Sequence, residues 1–173
     1  QYSLGIEQVI GKHLEASVEG FYVDRDRMVA EVAQPDGGVR MENVGTGSTL
    51  GLETFIRFHS HDRFFGWLAY TLSRTVERST PDEPAHVSDS DQTHNLIVLG
   101  SYDLGRGWRL GARFRYVTGN PFTDIARPPY AQSLFDGQSG EYVPQFTAIN
   151  AERFPDIHQL DARIDKRWTF RHW

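Results

Sequence analysis

The residues best equipped for chemistry are charged and recur at every second position. Arg109, Arg113 and Arg115 form one such run, and Asp161, Arg163, Asp165 and Arg167 form another. Glu53 and Arg57 lie four apart in a third. A period of two places each set on one face of a β-strand. A wall of alternating acids and bases can guide a polar ligand or hold a packed domain. It can also do no more than form a ladder of opposite charges across neighbouring strands. No nucleophile, base and orienting group fall together, and no glycine loop has the form that cradles a phosphate, so bond chemistry is not expected.

Metal and cofactor sites have weak support. There is no cysteine, which excludes thiolate ligands, a thiol nucleophile and disulfides. His59 and His61, with Asp62, share a spacing but fall in a predicted tight turn, and two histidines do not close a ligand set. Asp89 and Asp91 could be calcium ligands, yet calcium needs about six to eight oxygens and the segment lacks a recognised loop spacing. The bland reading is a solvated acidic loop. Metal, none, and cofactor, none, are the expectations. The net charge of −5 leaves no basic footprint for nucleic acid.

The elements that must position these charges read as strands throughout. Period-two segments at about 2–10, 14–25, 47–58, 64–78, 94–103, 108–118 and 157–170 predict about seven strands. On the last, Leu160, Ala162, Ile164, Trp168 and Phe170 share a face interrupted by Lys166, opposite Gln159, Asp161, Arg163, Asp165, Arg167 and Thr169. Trp108, Leu110, Ala112, Phe114 and Tyr116 oppose the arginines of the sixth.

Two features separate this pattern from that of a soluble β-sandwich. Connections alternate between short ones, at 11–13, 59–63 and 104–107, and long ones, at about 26–46, 79–93 and 119–156. Tight turns at one end and long loops at the other are the habit of outer-membrane barrels. Aromatics also gather near strand ends (Tyr2, Tyr22, Phe58, Phe64, Phe65, Tyr102, Trp108, Tyr116, Trp168 and Phe170), where such barrels place their girdles. Mean hydropathy is −0.50 and no apolar run approaches the roughly 18 residues of a membrane helix, a test that cannot detect membrane strands. The fold class expected is therefore all-β: an antiparallel up-and-down transmembrane β-barrel segment. An odd number of strands does not close such a barrel, and the start at Gln1 and the end after a strand at Trp173 look cut. The whole stretch 1–173 is expected to be a partial barrel domain, completed by the remainder of its own chain or by partners.

Several segments resemble one family. They are Tyr2-Ser3-Leu4-Gly5-Ile6-Glu7, Gly51-Leu52-Glu53, Gly66-Trp67-Leu68-Ala69-Tyr70-Thr71-Leu72-Ser73-Arg74, Gly111 through Phe122 (GARFRYVTGNPF) and His158 through Trp168 (HQLDARIDKRW). In this order they resemble the later barrel of TonB-dependent outer-membrane receptors. The resemblance implies a barrel of about 22 strands, an N-terminal plug, and uptake of a scarce nutrient driven by TonB through that plug. Its partners would be outer-membrane lipid, the plug and missing strands, TonB, and a small-molecule or oligomeric substrate such as an iron chelate or cobalamin. Its location would be the bacterial outer membrane.

On this reading Glu53, Arg57, Arg109, Arg113, Arg115, Asp161, Arg163, Asp165 and Arg167 face the lumen and contact the plug. Phe122, Tyr130, Phe135, Tyr142 and Phe146, on the third long connection, either grip a ligand or pack the loop on itself, and are the best candidates for a recognition surface. Two rivals remain open. One is a passive channel or scaffold barrel. The other is a soluble β-sandwich binding module.

Overall fold

The computed structural model describes residues 1–35, 37–59, 63–126, 134–138 and 140–170. Its main feature is one antiparallel sheet. Strands β1 (Tyr2–Ile10), β2 (Leu14–Ala33), β3 (Val39–His59), β4 (Phe64–Arg78), β6 (His94–Gly105), β7 (Trp108–Val117) and β12 (Ile157–Lys166) pair in that order. The two-residue β5 (His86–Val87) extends the line of β6 along the top of β4. The third long connection holds two small ladders, β8 (Pro121–Phe122) with β11 (Glu152–Arg153) and β9 (Leu134–Asp136) with β10 (Glu141–Val143). No helix occurs among the described residues, and so none crosses a membrane; this says nothing about strands.

Each expected strand is present, with two corrections at the ends. β2 and β3 do not stop at a loop spanning 26–46. They run on as a tall hairpin whose tip is 34–38. The turn formers Pro35 and Gly37 mark the tip, while Met28, Val29, Val32, Val39 and Met41 between them sustain the strands. A bulge between Arg25 and Met28, with Arg27 at a φ of 55°, shifts the register partway up. The last strand ends at Lys166 rather than at 170.

Register shows how the two faces are built. One row links Val18, Thr54, Tyr70, Leu96, Tyr116 and His158; the next links Ala16, Ile56, Leu68, Val98, Phe114 and Leu160. Below them Phe64, Tyr102, Leu110 and Ile164 align, and then Trp108 with Lys166. This face is apolar across seven strands and nothing covers it among the described residues. Leu4 is 85% exposed and Leu160 70%. Among the described residues the buried apolar side chains are Ala30 and Val117, which is no core for a folded sheet. A soluble sandwich buries such a face against a second sheet, and the small ladders here are too short to do so.

Aromatic side chains bound the apolar band above and below. Phe58 and Phe64 meet at 5.8 Å at one end, where Lys166 Nζ also lies 4.9 Å from the Trp108 ring. At the other end Tyr70 contacts His94, its hydroxyl 2.8 Å from Nδ1, and Tyr116 lies 5.1 Å from His158. Eight residues separate Trp108 from Tyr116, about 27 Å along a strand. At a tilt of about 35–45° the band is roughly 20 Å tall, close to the apolar belt of a membrane barrel.

Candidate functional site

The opposite face carries the charges, as the alternation requires. Glu15 accepts a hydrogen bond from Arg57 directly across β2 and β3. Arg113 grips Asp161 through Nε at 3.0 Å and Nη2 at 2.7 Å, and the two are register partners across β7 and β12. Arg163 pairs with Asp165 along its own strand at 2.7 Å. Arg109 stands 4.0 Å from Asp103. These are cross-strand and same-strand pairs on an exposed face, where solvent screens the attraction. Arg115 stands opposite Ile97 and Gln159, with no carboxylate bound to it among the described residues. Arg167 lies past β12, its amide bonded to the Gly107 carbonyl at 2.7 Å.

The face is not polar throughout. Along one row Glu15 and Arg57 are followed by Trp67 and Leu99, then by Arg113 and Asp161. Along the next, Ser17 is followed by Phe55, Ala69, Ile97 and Arg115. Phe55 and Trp67 have ring centroids 6.1 Å apart. Between the charged flanks, β4 and β6 thus present an aromatic and aliphatic strip. The flanks also differ in sign. Glu7, Glu15, Glu19 and Glu53 crowd β1 to β3, whereas Arg109, Arg113, Arg115 and Arg163 gather on β7 and β12. Glu19 and Glu53 are direct register partners, a like-charge pair that opposes strand pairing.

The most tightly built polar cluster was not legible in the sequence. Asp91 is 1% exposed. Its carboxylate accepts from the Thr75 amide at 2.6 Å, the Thr93 hydroxyl at 3.0 Å and the Arg153 guanidinium. Arg74 Nη1 is 3.7 Å away. Arg153 also donates to the Asp91 and Gly119 carbonyls, both at 2.9 Å. Burial pushes the Asp91 carboxyl up, but the Thr75 amide, Arg153 and Thr93 outweigh it and hold the group below its ordinary value.

Beside this cluster Asn150 donates to the Val87 carbonyl at 2.7 Å and to the Asp89 carboxylate. Asp156 accepts from the Tyr116 hydroxyl at 2.6 Å and the Gly119 amide at 3.0 Å, and both lower its carboxyl. Gly119 is held so close to the returning chain that a Cβ there would sit 1.8 Å from the Phe154 carbonyl oxygen.

Asp89 and Asp91 are engaged by protein donors, Asp91 by Arg153 and Asp89 by Asn150, and the described residues contain no group of three or more acids and histidines placed to hold a metal. His61 and Asp62 lie outside the described residues; His59 packs its ring 4.9 Å from Phe65. Of the loop aromatics, Phe122 stacks on Phe154 at 4.5 Å and Phe135 meets Tyr142 edge-on at 5.3 Å. Phe146 bridges to Ile125, and Tyr130 lies outside the described residues. Within the loop the ring contacts are Phe122 with Phe154 and Phe135 with Tyr142, while Phe135, Tyr142 and Phe146 stay more than half exposed.

A single twisted sheet with one apolar and one charged face, tight turns at one end and elaborated connections at the other, is a section of an outer-membrane β-barrel fold. Among solved structures, it is similar to the outer membrane transporter YddB from Escherichia coli, with a TM-score of 0.63 and 13% identity. The match covers 94% of this chain and 25% of that one, so the chain spans a quarter of that transporter's length. Neither a protein family nor a curated protein matches the sequence.

Proposed function

We propose that residues 1–173 form part of the wall of an outer-membrane transporter, and that the transporter is of the TonB-dependent kind. The observation that carries this reading is the uncovered apolar face, bounded by aromatic rows at both ends. In water such a face would be a severe liability; against lipid it is the surface a barrel must present. Among the described residues β1 and β12 each pair on one side only. In lipid their open edges would cost several kcal/mol per unsatisfied group, so further strands from the rest of the polypeptide complete the barrel.

The charged face then lines the lumen. Glu53, Arg57, Arg109, Arg113, Arg115, Asp161, Arg163, Asp165 and Arg167 face the plug or the passing substrate, and the role is uptake of a scarce nutrient without bond chemistry. The likeness to an outer membrane transporter supports transport in general. The TonB dependence rests on the sequence resemblance.

The absence of cysteine makes the orientation testable. Gln34→Cys, at the hairpin tip, is expected to react with a membrane-impermeant maleimide on intact cells. Lys12→Cys, in a short turn, is expected to react only after the outer membrane is opened. Equal labelling of both sites, or the reverse order, would sink the topology. TonB dependence is tested separately, by loss of substrate-supported growth when tonB is deleted.

A further inference from the structure

The tall hairpin leaves one strand edge open. β4 stops at Arg78, opposite Thr46, and the chain then turns so that β5 pairs on the far side of β4, in line with β6. Residues 39–44 of β3 thus have β2 on one side and, among the described residues, no backbone partner on the other. At the hairpin tip Gln34 sends its amide to the Gly38 carbonyl at 2.8 Å. By the alternation of an antiparallel ladder, Arg40 and Glu42 therefore bond β2 above the bulge, and Val39, Met41 and Asn43 aim their N–H and C=O groups at the open edge.

The side chains beside that edge are not blunted in the usual way. Val39 and Met41 share one face and are 65% and 63% exposed; Val29, opposite Asn43, is 68% exposed on the same side. The charges Arg40 and Glu42 lie on the other face and pair with each other at 3.8 Å. At the foot of the hairpin a cavity of about 460 Å³ opens between Met28, Gly45 and Ile149. Its charged lining is Glu31, Glu77, Glu83 and Arg78, net negative, and no ion pair neutralises the three glutamates among the described residues.

We propose that this edge is a strand-addition site: it takes an extended segment of a partner protein alongside residues 39–44, with apolar side chains on the Val39–Met41 side and a lysine or arginine in the acidic cavity. Free donors and acceptors in strand register supply affinity for any extended chain, and flanking pockets supply the choice. The site goes beyond the proposed transport role and depends on it only for the hairpin's access to solvent.

The test uses the full-length protein in detergent and a displayed library of eight-residue peptides. These have β-branched residues at alternate positions and Lys, Arg, Glu or Thr between them. Selected peptides are expected to be rich in Lys or Arg. They should bind about tenfold more weakly to Met41→Pro, which removes an outward N–H while leaving the β2 ladder intact. N-methylation of alternate peptide residues should weaken binding similarly on the unmodified protein, a control that needs no variant to fold. Glu31→Gln with Glu77→Gln and Glu83→Gln should erase the preference for basic residues. Failure to select any binder, or binders indifferent to both Met41→Pro and N-methylation, would overturn the proposal.

Discussion

Arg153, carried on the third long connection, binds Asp91, carried on the second, through both its side-chain carboxylate and its backbone carbonyl. The pair is nearly shut off from solvent on the aspartate side, and it joins two segments 62 residues apart in sequence. Removing one partner of such a pair strands the other, at about 3–5 kcal/mol. Arg153→Met is therefore expected to release the Ser88, Asp91 and Asn150 amides to fast hydrogen exchange while the amides of β4 and β7 stay protected. Unchanged exchange in 86–93 would show that the pair is incidental to the loops.

The same cluster has a pH dependence of fixed sign. The folded Asp91 carboxyl is held below its ordinary value, so it binds its proton less readily than an unfolded aspartate does. Its contribution is complete above the unfolded pKa of about 3.9 and is lost as pH falls through the lower folded value. Loop proteolysis at residues 79–93 is expected to be flat from pH 8 to 5 and to rise only below about pH 4. A rise centred between pH 6 and 7 would show that a group other than Asp91 sets the pH dependence of these loops.

The two faces predict different fates for two tryptophans. Trp108 sits in the aromatic row of the apolar face and Trp67 in the strip on the charged face. In vesicles of brominated lipid, a protein keeping only Trp108 should be strongly quenched and one keeping only Trp67 weakly so. Quenching of Trp67 alone would invert the barrel.

Gly119 should tolerate no side chain. A Cβ there would meet the Phe154 carbonyl oxygen at 1.8 Å and Pro155 oxygen at 2.9 Å, both backbone atoms with no freedom to swing away. Gly119→Ala is expected to lower the unfolding temperature of the barrel's loop end and to cost more than about 2 kcal/mol. Gly111→Ala, whose Cβ would meet only the Gly100 oxygen at 3.8 Å, serves as the neutral control.

The opposed pair Glu19 and Glu53 predicts a gain from a single substitution. Glu53→Lys turns repulsion into attraction across β2 and β3 and should stabilise the barrel by about 0.5–1 kcal/mol, read as a higher temperature for loss of the folded band in detergent electrophoresis. A lower temperature would mean that another group already satisfies both carboxylates.

How much of this was legible follows from range. The strands, their faces and the short turns depend on period two and on turn formers, which are local, so β1, β4 and β7 were located almost residue for residue. The tall hairpin was missed because Gln34-Pro35-Asp36-Gly37-Gly38 spread a loop signal over strands whose alternation is broken by the bulge near Arg27. The Asp91–Arg153 cluster was missed for a different reason. Nothing near either residue in sequence names its partner, and acids in a polar loop look solvated until the fold brings an arginine to them. The apolar strip of Phe55, Trp67, Ile97 and Leu99 needed the register, since no strand shows it alone.

The rows that run unbroken across seven strands have a consequence for descent. A substitution on either face changes one position in a row, and oily residues can exchange for one another where lipid is the neighbour. An inserted or deleted residue within β3 or β4 would turn every later side chain of that strand to the wrong side. The third connection obeys no such rule, being free to lengthen or shorten so long as Gly119 and Arg153 return to the same place. Lineages of this wall should therefore drift far in letters while keeping strand lengths fixed, and should record their history of gains and losses almost wholly in the loops. The likeness of fold described above, at a TM-score of 0.63 and 13% identity, is one in which strand geometry agrees while most letters differ.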